Sequence, residues 1–161
     1  MLLSEILDFD KIYIPDYRKV SSDLFEFEYD NDGLKLSGIV RFQDIELEDW
    51  IIPSHVLNEK SNIRNVSFTI NDSDDQSSVT NQKVLISILA VIKQCVDDYI
   101  KSNNPDVLLF VSVSRYGELK IDTSKDSIYK LLMRKYLPSG YGVSDCEFIP
   151  TNMKGFCLFK K

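Results

Sequence analysis

The stretch QKVLISILAVIKQCVDDYIKSNNPDVLLFV, residues 82–111, decides the fold class. From Gln82 to about Ser102, Leu85, Ile88, Leu89, Ile92, Val96, Tyr99 and Ile100 recur at spacings of three and four, the period of one helix face. Lys93, Asp97 and Lys101 mark the expected wet side. Ile86, Ala90 and Val91 widen the apolar arc, so this helix is expected to be covered on most sides. Asn103-Asn104-Pro105 stops it. Val107-Leu108-Leu109-Phe110-Val111 is apolar on both faces, the pattern of a central strand. Asp122-Thr123-Ser124 is a helix-start signature, and Ile128, Leu131, Leu132 and Tyr136 share one side of the segment that runs to Pro138.

Upstream, the period changes to two. Phe25, Phe27 and Tyr29 alternate with Glu26 and Glu28, a half-buried strand. Asp30-Asn31-Asp32-Gly33 tolerates positive φ, and Leu34, Leu36, Val40 and Phe42 resume the apolar phase, so 24–42 reads as an antiparallel hairpin. Ile45-Glu46-Leu47-Glu48 is expected to extend the sheet before Trp50 and Pro53. Val66, Phe68 and Ile70 make a further strand. Residues 71–81 are polar and acidic and read as an exposed loop. Leu3, Ile6 and Leu7 predict a short N-terminal helix capped by Ser4. Two tail strands are expected near Cys146–Ile149 and Gly155–Phe159. The expected fold is α+β, a mixed, mainly antiparallel sheet flanked by helices, with residues 1–161 as one domain.

Bulk composition agrees with that fold. A chain of 161 residues can bury roughly 70% of its unfolded surface in one core. Hydrophobic residues make up 43% and charged residues 27%, too apolar for a disordered chain. The net charge is -6, from 25 acidic and 19 basic side chains, so the mean field repels phosphate backbones and nucleic acid is not an expected partner. Lys125, Lys130, Arg134 and Lys135 read as a solvated helix face. There is no basic region followed by a long apolar core at the N-terminus, and Lys93 and Gln94 interrupt the longest apolar run, so neither secretion nor a membrane span is expected.

Few residues offer chemistry. His55 is the sole histidine, which removes most zinc sites, and Pro53-Ser54-His55 reads as a surface turn. Cys95, Cys146 and Cys157 are odd in number and scattered, which suits reduced thiols. None sits in a setting that lowers a thiol pKa. Asp72, Asp74 and Asp75 have the composition of a calcium loop without its glycine or distal glutamate. The Glu26/Glu28 and Glu46/Glu48 pairs read as the wet face of a sheet. No metal site is expected.

The order antiparallel strands, a strand, a polar loop, a long helix, a buried strand and a tyrosine-bearing helix resembles the GNAT acetyltransferase fold, and the resemblance is to its second half, from about Ile63 to Tyr141. Ser127-Ile128-Tyr129-Lys130-Leu131-Leu132 is similar to that family's segment in which a small residue and a tyrosine precede a Gly-aromatic pair. The resemblance implies that Tyr129 protonates a departing coenzyme A thiolate. It also implies that the loop entering the long helix, Val79, Thr80, Asn81, Gln82, Lys83 and Val84, wraps the pyrophosphate with backbone N–H groups. The family's glycine-bearing loop signature is absent here, since no glycine lies between Ser77 and Lys83, and three aspartates precede that stretch. Gly140-Tyr141 also follows Tyr129 by eleven residues, where the family closes the interval in about one helical turn.

This altered pattern resembles small GNAT-like proteins of bacteriophages. It implies a catalytically degenerate member that works through protein–protein contacts, as a virion component or host-interaction factor, in the virion or the host cytoplasm, with no cofactor. The alternative is an N-acyltransferase that uses acetyl-CoA with Tyr129 as its acid. A second alternative is an acidic inhibitor of a basic host protein.

Overall fold

The computed structural model describes residues 12–57, 62–70, 82–111, 130 and 133–161. In chain order the elements are β1 (Asp16–Ser21), β2 (Leu24–Asn31), β3 (Leu34–Gln43), β4 (Trp50–Ile51), α1 (Ser54–Leu57), β5 (Ile63–Ile70), α2 (Gln82–Asn103), β6 (Val107–Val111), β7 (Tyr141–Phe148) and β8 (Met153–Lys160). The strands form one sheet in the order β1-β2-β3-β5-β6-β8-β7-β4. Only β5 and β6 run parallel. A parallel pair needs a long crossover, and α2 lies within it. The fold is α+β with a mixed, mainly antiparallel sheet.

The hairpin forms where the alternation placed it. Asp32 and Gly33 take φ of 53° and 80°, the two left-handed positions of a tight hairpin turn. Phe25, Phe27 and Tyr29 enter the core with Val40 and Phe42 from β3. Gly38 stands opposite Phe27, and the phenyl ring lies over it: a Cβ there would come within 2.1 Å of the ring. Gly38→Ala is expected to cost about 1–3 kcal/mol by forcing that buried ring aside, read as a lower urea midpoint with unchanged slope.

β1 carries no apolar alternation and extends the hairpin with only Tyr17 partly buried. The run at 45–48 does not extend the sheet beside β3. The chain instead passes through a 3-10 turn at Leu47–Asp49, and Trp50–Ile51 pairs with β7 at the far edge. This route lays Trp50 and Val56 over Ile63, Val107, Leu109, Cys146 and Cys157, making a second core. Trp50, expected to end a strand, is in one because Phe148 packs against it at 4.9 Å.

The main core lies on the sheet face that carries α2. Phe42 stacks flat on Tyr99 at 3.9 Å and joins helix to sheet. Asp97 and Lys101 are exposed as expected, but Lys93 is only 2% exposed. Its ammonium reaches Asp97 one turn on, at 2.5 Å, and Asp97 is 46% exposed. The apolar stem lies buried while the charge is met at the boundary. Partial burial pushes the Asp97 carboxyl up from its usual range, and Lys93 pulls it back down.

Asn104, at φ 50°, closes α2 by donating its N–H to Ile100 O, a left-handed helix stop. Asp106 then knits three strands: its carboxylate accepts from Asn62 N–H at 3.1 Å, and its carbonyl accepts from Lys160 N–H at 2.8 Å. Tyr141, at the start of β7, donates its buried hydroxyl to Pro105 O at 2.5 Å. Tyr141→Phe strands that carbonyl and is expected to cost about 1–2 kcal/mol, measurable by urea unfolding. Of the helix expected after Ser124, Lys130 and Met133–Lys135 are described and helical. The expected N-terminal helix and the 71–81 loop lie outside the described residues.

Candidate functional site

The acyltransferase-type site would lie where β5 and β6 meet the start of α2. The parallel ladder runs from Ile63↔Val107 to Val66↔Phe110. β5 continues to Ile70, paired to β3 through Gly38↔Ile70. Val79, Thr80, Asn81 and Tyr129 lie outside the described residues. Gln82 and Lys83 open α2. Val84 follows with its side chain in the main core.

A helix start has N–H groups with no partner inside the helix, which is why it can bind phosphate. That use requires room beside the first turn. Here Val84 is 6% exposed and Ser87 4%, and Leu85 and Ile86 between them are buried as well. Four consecutive residues span a full turn, so α2 is enclosed on every side from its third residue to its sixth. In the sequence, Asp72, Asp74 and Asp75 precede the start of this helix.

The remaining candidates are dispersed. His55 is exposed on α1 and meets the edge of Phe159 at 5.5 Å. All three cysteines are buried and none forms a disulfide. Burial pushes Cys95 up to about 12. Cys146 is also pushed up, first by a hydrogen bond with Cys157 and then by burial. Both conditions suppress the thiolate a nucleophile needs. Among the described residues no group of three His, Cys, Asp or Glu side chains could hold a metal ion.

Glu26 and Glu28 line a shallow groove of about 530 Å³ with Asp16, Arg18, Ser37 and Ile39. Arg18 donates from Nε at 2.9 Å and from Nη2 at 2.5 Å to one Glu26 oxygen. Glu26 is thus engaged in an exposed ion pair with Arg18, and the two glutamates are not arranged as an acid and a base. Of the basic cluster, Lys130 pairs with Asp145, Arg134 is exposed, and Lys135 lies over the Tyr136 ring at 5.6 Å. Lys125 lies outside the described residues.

The sequence reading passed over Leu47, Ile51 and Ile149, large aliphatic side chains left exposed near the β4 edge. The signal was available in outline: Ile51 and Ile149 flank Trp50 and Phe148, and a residue next to an inward aromatic on a strand points outward.

Fold and geometry together define an α+β protein with a mixed eight-stranded sheet, and no helix of its described residues is long and apolar enough to cross a membrane. Compared with known protein families, with curated proteins and with solved structures, the chain matches none.

Proposed function

We propose that this chain is a protein-contact domain on a GNAT-like scaffold of bacteriophage type, one whose coenzyme site has degenerated. The β5–α2–β6 crossover, with antiparallel strands on both sides of the parallel pair, supports the scaffold. The observation that carries the loss of the coenzyme site is the enclosure of α2 from Val84 to Ser87, directly behind its opening residues Gln82 and Lys83. A pyrophosphate needs open N–H donors and a backbone that can approach it closely. The stretch between Ser77 and Lys83 has no glycine to allow that close approach. Isothermal titration with acetyl-CoA tests this reading. No saturable heat is expected, and a micromolar dissociation constant would overturn it.

The end of the β5–β6 ladder at Val66↔Phe110, with β5 running on to Ile70, favours the second reading, an N-acyltransferase. The far end of such a parallel pair, beside the start of the crossover helix, is where such an enzyme would seat its acyl group. In that case Tyr129 is the acid, and Tyr129→Phe should lower turnover at least tenfold, about 1.4 kcal/mol of barrier, with cofactor affinity unchanged. Absence of acyl transfer to any amine in a broad panel removes this reading.

A further inference from the structure

β4 is an outermost strand of the sheet. Trp50 turns inward against Phe148, so Ile51 turns outward and is 55% exposed. Leu47, in the turn before it, is 49% exposed, and Ile149, next after Phe148, is 50% exposed. All three lie within three residues of the Trp50↔Phe148 pair. Glu46, Glu48 and Glu147 are exposed around them, and Asp49 is partly so. Glu147 stands opposite both Ile51 and Lys154 in the sheet. The opposite edge exposes one aliphatic side chain, Val20, and differs in its charges. β1 presents Arg18 and Lys19 and carries an irregularity between Lys19 and Ser21, devices that keep an edge from pairing.

We infer that the β4 edge is a docking surface for a polypeptide segment bearing aliphatic side chains among lysines and arginines. The inference rests on the protein-contact reading above and gives the partner its chemistry. Leu47, Ile51 and Ile149 supply apolar surface for the partner's aliphatic groups. The carboxylates of Glu46, Glu48 and Glu147 select the flanking positive charge. A second copy of this chain is the poorer occupant for a symmetric contact, because a patch carrying Glu46, Glu48 and Glu147 would then face another patch of the same sign.

Fluorescence anisotropy near physiological salt tests the surface with three short labelled peptides: alternating Leu-Lys, Ser-Lys and Leu-Glu. The Leu-Lys peptide is expected to bind about tenfold or more tightly than either control, the size of effect that burying one or two aliphatic side chains gives. Ile51→Ser with Ile149→Ser should weaken it by at least about tenfold, and Glu46→Lys with Glu48→Lys should weaken it too. Both double variants alter exposed side chains, and circular dichroism confirms their folding. Equal binding of Ser-Lys, or binding unchanged in the variants, overturns the surface. So does a wild-type dimer in sedimentation that the Ile51→Ser/Ile149→Ser variant loses, since the occupant is then a second copy. A chain that binds neither peptide nor acetyl-CoA loses this surface alone, whereas one that binds acetyl-CoA loses the contact reading itself.

Discussion

Asp97→Asn is expected to destabilise the protein by about 2–4 kcal/mol, although Asp97 itself is near the surface. Lys93 is 2% exposed and its ammonium rests on the Asp97 carboxylate. Removing one partner of a buried pair leaves an uncompensated charge, which costs about 3–5 kcal/mol when both partners are enclosed. The lower range applies because Asp97 is 46% exposed and asparagine can still accept one hydrogen bond. Lys93→Met in the same chain should restore most of the loss, since methionine fills the stem's place without a charge. Urea unfolding of both single variants and the double variant closes the cycle. If Asp97→Asn falls within about 0.5 kcal/mol of the parent, an ordinary surface effect, the ammonium reaches water and the pair is incidental.

Phe42→Ala is expected to cost about 3–5 kcal/mol. Phe42 is buried, stacks on Tyr99 of α2 at an interplanar angle of 1°, and meets Phe25 edge to face at 5.8 Å. The substitution therefore opens a cavity between helix and hairpin and removes two aromatic contacts, each worth about 0.5–1.5 kcal/mol beyond area. For a chain of this size, a loss of that order lowers the melting temperature by roughly 6–20 °C. Phe42→Leu should recover more than half of it. A Phe42→Ala variant that melts with the parent would mean that α2 does not depend on this contact.

The parts of the fold that could be read in advance are those whose side chains repeat. Phe25, Phe27 and Tyr29 announced their strand, Leu85 to Ile100 announced α2, and Val107–Phe110 announced the central strand. β1 had no such signal, because it is held by pairing to β2 while most of its side chains face water. β4 was hidden for another reason. Its two residues are a strand only because Phe148 and Glu147, about a hundred positions away, stand beside them, and local alternation at Ile45–Glu48 pointed to a strand where the chain makes a 3-10 turn.

Lys93 shows the same limit in a helix. Its charge placed it outside, but a four-carbon stem and a carboxylate one turn on allow it to be covered. For the candidate site, the missing glycines before Lys83 were legible as letters. The enclosure of Val84–Ser87 was not, since it depends on packing around the whole turn. Tyr129 and Val79–Asn81 lie outside the described residues, so their roles rest on the resemblance alone.

On the proposed reading, the α2 start and the β5–β6 junction take no coenzyme. Amide NMR of the full chain, titrated with acetyl-CoA, reads both places at once through Val66–Ile70, Val84–Ser87 and Val107–Phe110. The expected result is that these amides do not move up to millimolar ligand. Saturating shifts confined to those three segments at micromolar acetyl-CoA would contradict it.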